Sequence, residues 1–201
     1  MTQVAGAVPL LALAVVVASL VYLHIEPTGL SPLRNAVSQY GIASFKAGYR
    51  VATIAFGVAA IALAVGLDKA LKGAGTRLVV ILLVVFAAAR CAISWFPMDA
   101  PSADRTQTGQ MHGLLALVAF VSAGLAALRL GGVLSREGRW HSLAAVSTEL
   151  GWVMAACLLG LGLARSLPRA RERFGLIERA LYLSAIAWFA VFAVAVATNT
   201  R

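Results

Sequence analysis

Charged side chains are scarce in this sequence, 12% of 201 residues, where a soluble domain carries about 25%. With 61% hydrophobic residues and a mean hydropathy of +0.87, there is too little polar surface to coat a water-facing globule. The shortage excludes an ordinary cytosolic enzyme, and the apolar surplus excludes a disordered chain. Cysteine is almost absent as well. Cys91 and Cys157 both lie inside apolar runs, so a disulfide scaffold is excluded and both thiols are expected buried and reduced. Low-complexity tracts and solenoid repeats are also missing. The formal charge of +9 has no basic surface interleaved with aromatics behind it. Nucleic acid is therefore not an expected partner, and membrane lipids, anionic ones included, are the expected counter-charge.

What is present in quantity is long apolar runs. A hydrocarbon core of about 30 Å takes about 20 apolar residues as helix. Six such lengths are predicted: 4–23, 47–67, 78–96, 113–130, 142–163 and 180–197. Proline, glycine or charge marks the boundaries, as at Pro27 and Pro32, Asp68 and Lys69, Pro97 and Pro101, Gly131 and Gly132, and Pro168. Tyr22, Tyr49, Trp95, Trp140 and Tyr182 fall near span ends, where amphipathic rings favour the headgroup zone. The first span is not expected to be a cleaved signal, since no lysine or arginine precedes it. The predicted fold class is all-α: a polytopic six-transmembrane-helix bundle, one membrane domain over residues 1–201. Lysine and arginine divide almost evenly between the two faces, so charge does not orient the chain.

In lipid, helices pack through small residues. Ala116, Ala119, Ala123 and Ala126 recur at helical steps along the fourth span, and one turn before Ala116 stands His112. His112 is thereby expected on the packing face.

An even number of spans puts the first, third and fifth loops on one side. His24, Ser38, Tyr40, Arg50, Arg90, Asp99 and His112 all belong to that side, and the first and third loops are long enough to form a structured cap. Arg90 stands out, roughly 9 Å inside its span, where a charge costs about 2.5–3.5 kcal/mol. Interior pairing with Asp99 or Glu149 is expected over snorkelling, with Ser94 and Ala87 sharing its face. Glu149 is either that partner or an interfacial residue.

Asp99 and His112 suit a pair in which a carboxylate orients an imidazole as general base, or else a network that pins the third loop. His24, His112 and Asp99 have no metal-ligand spacing, so no metal is expected, and no cofactor motif occurs. The stretch Asn35-Ala-Val-Ser-Gln-Tyr-Gly41 has no nucleophile-elbow pattern and reads as a turn. The arginines from Arg165 to Arg179 read as a solvated basic loop or an anionic-lipid contact.

These two loops carry a resemblance. The Asn35–Gly41 stretch, with Phe96-Pro-Met-Asp99 followed by Thr106, Gly109 and His112, resembles the bacterial membrane family catalogued as domain of unknown function 998. Ser38, Tyr40 and Gly41 match that family's Ser-Asp-Tyr-Gly-like loop, with Gln39 in place of the acid, so a role needing that carboxylate is not carried over. Phe96, Pro97, Asp99, Gly109 and His112 match its second segment in order. The resemblance implies a six-span fold over the whole chain and a bacterial cell membrane location, inner membrane included, without an assigned activity.

Two functions from different classes are expected. One is a pocket under the first and third loops that binds or passes a small amphiphile, lipid or ion, with Arg90 as counter-ion, His112 titrating, and Ser38, Tyr40, His24, Arg50, Ser94 and Glu149 around it. The other is a membrane-embedded hydrolase or transferase in which Asp99 and His112 act as the catalytic pair and Arg90 stabilises an anion. A structural or accessory subunit is the third possibility.

Overall fold

The computed structural model describes residues 2–72, 75–101, 103–138 and 140–198. Helices α1 (Thr2–Ile25), α2 (Lys46–Ala70), α3 (Arg77–Ala92), α4 (Gln107–Leu134), α5 (Ala144–Ser166), the single turn α6 (Pro168–Arg171) and α7 (Phe174–Thr198) follow in order. Short 3-10 turns stand at Val37–Ile42, Ile93–Trp95 and His141–Leu143. Six of the helical segments are long and apolar enough to cross a membrane, in line with the six predicted spans.

Two helices begin earlier than their apolar runs predict. Thr106 is extended and its side chain accepts the Gly109 N–H, so α4 starts on a polar turn at Gln107 rather than at Gly113. In α7 the buried stripe runs back through Ala185, Tyr182 and Glu178 to Gly175, so residues expected in the fifth loop are helical and face inward.

The long helices form a ring. α1 packs on α2 and α7, α2 on α3, α3 on α4, α4 on α5, and α5 on α7. α7 also reaches α2 across the middle but barely touches α4. At mid-depth the centre is filled by Phe56, Phe86 and Phe189, whose centroids lie 4.9–5.2 Å apart, with Trp188 and Phe192 beside them. The Trp188 indole donates to Ser147 Oγ at 2.9 Å, and that hydroxyl donates to the Ala127 carbonyl at 2.8 Å, tying α7, α5 and α4 together. Ala119, Ala123 and Ala126 are fully buried, as their spacing predicts, while Ala116 is only half-buried and His112 is buried beyond it.

Two expectations need correction. Tyr49, Trp140 and Tyr182 are core residues, while Tyr22 and Trp95 remain exposed near span ends. Cys91 and Cys157 are unpaired, as expected, but only half-buried.

α4 and α5 approach most closely at one end. A Cβ on Gly131 would run into Thr148 Oγ1 and the Ala144 carbonyl, whereas one on Gly132 would meet nothing within 4 Å. Since overpacking costs about 1–3 kcal/mol, Gly131→Ala is expected to lower the melting temperature in detergent, while Gly132→Ala leaves it unchanged or raises it. Equal melting temperatures for the two variants would contradict this packing.

Candidate functional site

The first loop is fastened to α7. The Val37–Ile42 turn has no capping side chain of its own, and its first N–H, from Val37, is taken by Glu178 Oε2 at 2.7 Å. Arg179, the next residue of α7, donates to the Asn35 carbonyl at 2.8 Å, to His24 Nε2 at 2.8 Å and to the Tyr40 hydroxyl at 3.4 Å. His24 Nδ1 faces the Leu20 carbonyl at 2.6 Å; a carbonyl only accepts, so the proton is on Nδ1 and Nε2 is free to accept from Arg179. A side chain on Gly175 would strike the Pro32 and Asn35 carbonyls, so glycine lets the loop lie directly on the helix. Tyr40 is 1% exposed under this clamp.

The third loop is fastened to α4. Asp99 accepts from the Thr106 hydroxyl at 2.6 Å and the Thr106 N–H at 3.1 Å, and the same hydroxyl oxygen accepts from the Gly109 N–H at 3.0 Å. A Cβ on Gly109 would collide with the Asp99 carboxylate, which explains the glycine. His112 Nδ1 donates to the Phe96 carbonyl at 2.7 Å. Asp99 and His112 lie close enough to interact electrostatically, but no hydrogen bond joins them among the described residues. In the neutral ring the Phe96 bond leaves Nε2 with the lone pair.

Arg90 is 1% exposed and does not snorkel. Its expected carboxylate partners are not there: Asp99 is bound to Thr106, and Glu149 is exposed on α5. Instead its guanidinium lies 5.8, 5.6 and 5.3 Å from the ring centroids of Phe56, Phe120 and Tyr182, and its Nε has no hydrogen-bond partner. Desolvated cation–π contacts are worth about 2 kcal/mol or more, enough to offset most of an insertion cost of about 2.5–3.5 kcal/mol. Tyr182, Tyr49 and Glu178 are within its electrostatic reach. Arg50 and Ser94 belong to another contact. Arg50 donates to the Ser94 carbonyl at 3.3 Å, and the Ser94 and Thr53 hydroxyls meet at 2.8 Å, joining α2 to the end of α3.

Where α4 parts from α7, a cavity of about 1010 Å³ opens beneath the first and third loops. It brings together Ser38, Asp99 and His112 of the expected residues, with Phe120 and Glu178; Arg90 stands behind Phe120, and His24, Tyr40, Arg50, Ser94 and Glu149 do not line it. Arginines 34, 105, 165 and 171 line its polar side, and Leu114, Leu117, Leu158 and Leu161 its apolar side. Sequence reading missed Glu178 and Arg179, whose signal was the inward stripe of α7 continuing through Gly175.

Fold and loops together define a multi-pass α-helical membrane protein whose first and third loops are built into the bundle. Residues 10–195 match the family model described as "Protein of unknown function (DUF998)", and the chain belongs to that family. No curated protein and no solved structure matches it.

The Thr106 hydroxyl, then its N–H, hold the Asp99 carboxyl below its ordinary value of 3.8. A depressed carboxyl stabilises the fold above its ordinary value and loses that contribution as pH falls through the depressed one. Amide exchange of Thr106 and Gly109, corrected for intrinsic rate, is therefore expected to stay slow from pH 7 to about pH 4 and to quicken below. Asp99→Asn should make exchange fast throughout; pH-independent protection in the wild type would contradict the cap.

Proposed function

We propose that the protein binds a small amphiphile with an anionic headgroup in the cavity beneath the first and third loops. The observation that carries this reading is the division of the lining, with arginines 34, 105, 165 and 171 on one side and leucines on the other. Of the acids that line the same space, Asp99 is engaged by Thr106 and Glu178 by Val37, which leaves Glu172 set against arginines 34, 105, 165 and 171, so the accessible charge at the rim is mainly basic. A volume of about 1010 Å³ suits a headgroup with part of a chain. Binding is favoured over passage because the aromatic cluster of Phe56, Phe86 and Phe189 closes the bundle at mid-depth.

The hydrolase or transferase reading draws less support, since the bond that would let Asp99 orient His112 is replaced by bonds to Thr106 and Phe96. In the binding reading His112 Nε2 accepts from a hydroxyl of the ligand, and Arg90 adds positive charge from behind Phe120. The setting is a bacterial inner membrane, with membrane lipids as partners.

The test is titration of the purified protein in neutral detergent with dodecyl phosphate, against dodecylphosphocholine as the zwitterionic control. Dodecyl phosphate is expected to bind more tightly. Arg105→Gln and Arg171→Gln are each expected to weaken it roughly ten-fold, the order of one charge-assisted hydrogen bond, with an additional loss at high salt. Equal affinity for the two amphiphiles, unaffected by either substitution, would contradict the proposal.

A further inference from the structure

The tightest approaches between α4 and α5 lie in one half of their length. Gly131 lies against Thr148, Gly151 against the Leu128 backbone, and Ser147 bonds to the Ala127 carbonyl, all toward the end of α4 and the start of α5. Toward the first-loop face the pairing changes. Gly113 on α4 and Gly162 on α5 have nothing within 4 Å of an added Cβ, although both line the cavity. Leu114 and Leu117 are 52% and 54% exposed there. α5 stays with α7 on its other side, where Gly160 faces Ile177. The pairing of the two helices therefore loosens at this end and leaves an apolar slot that is part of the cavity.

A water-soluble anion needs only the loop-side mouth, and an apolar slot between two spanning helices serves it nothing. For a hydrocarbon chain the same slot is a seat continuous with the bilayer. Arg165, at the end of α5, and Arg105, in the third loop, line the cavity at the level where a headgroup attached to that chain would lie. Apolar slot and basic rim occur in the order, from membrane interior to surface, in which a lipid presents its parts.

Building on the anionic-amphiphile reading above, we propose that the ligand is a diacyl membrane lipid with an anionic headgroup, which enters sideways from the bilayer through the α4–α5 slot and leaves a chain seated there. The two glycines act as the space for that chain, and the tight contacts at the opposite end hold the two helices together beside it.

Because Gly113 and Gly162 have open space, each accepts a large side chain that would fill the slot without striking the fold. Gly132, equally open but on the far half of α4 and outside the cavity, is the control. Protein reconstituted in vesicles of phosphatidylglycerol and phosphatidylcholine is re-extracted in mild detergent, and retained lipid is counted by native mass spectrometry. The wild type is expected to retain one phosphatidylglycerol per chain. Gly162→Trp and Gly113→Trp should each retain at least ten-fold less, and Gly132→Trp as much as the wild type, with all four melting cooperatively. Undiminished retention in both slot variants overturns the sideways entry, as does a wild type that retains no phosphatidylglycerol while still binding dodecyl phosphate; in both cases the anionic-amphiphile site itself stands. Equal retention of the two lipids overturns the anionic headgroup. A wild type that binds neither lipid nor dodecyl phosphate removes the site and this inference together.

Discussion

Two consecutive residues of α7, Glu178 and Arg179, determine how the first-loop face is built. A polar loop laid across the end of an apolar bundle has backbone groups that water no longer reaches, and each needs a partner. Glu178 supplies an acceptor to the Val37 N–H, and Arg179 supplies donors to Asn35, His24 and Tyr40. Both charges are thereby engaged where an isolated charge would be costly. The same contacts hold the first loop at the rim of the cavity and leave the space between α4 and α7 roofed rather than filled. Gly175 makes the arrangement sterically possible by bringing the helix backbone against the loop carbonyls.

Arg90 is the second constraint, and it acts in the opposite sense. Its positive charge is buried among rings from α2, α4 and α7, with Glu178 within electrostatic reach but no direct ion pair among the described residues. Those rings come from three helices, so the guanidinium holds together the elements between which the cavity opens. His112 and Glu178 lie on the cavity side of this cluster, and the aromatic packing of Phe56, Phe86 and Phe189 closes the other. The result is a chamber beneath the loops with arginines 34, 105, 165 and 171 at its rim and an apolar wall of leucines.

Much of this could be read before the fold was in view. Six apolar lengths, the alanine stripe before which His112 stands, and the shared side of the first and third loops all follow from helical spacing and loop parity. The departures have physical causes. Span ends were placed where hydropathy falls, but helices continue as long as their first N–H groups are capped and one face stays inward, which moved the starts of α4 and α7 outward. Glu178 and Arg179 were consequently read as part of a solvated basic loop. The step from Gly175 to Glu178, Tyr182 and Ala185 already continued the α7 core stripe. Arg90 was expected to meet an acid because sequence displays charge partners, whereas the convergence of three rings is a tertiary event. Asp99 and His112 lie within electrostatic reach of each other, but their hydrogen bonds go to Thr106 and Phe96, choices that depend on loop geometry.

α7 holds the roof of the cavity through Glu178. Residue-resolved amide exchange of the first loop in detergent tests this most directly, comparing the wild type with Glu178→Ala. The Val37 to Tyr40 amides are expected to be protected in the wild type and to exchange at least ten-fold faster in the variant, while Thr106 and Gly109 stay protected. First-loop protection that survives the loss of Glu178 would contradict it.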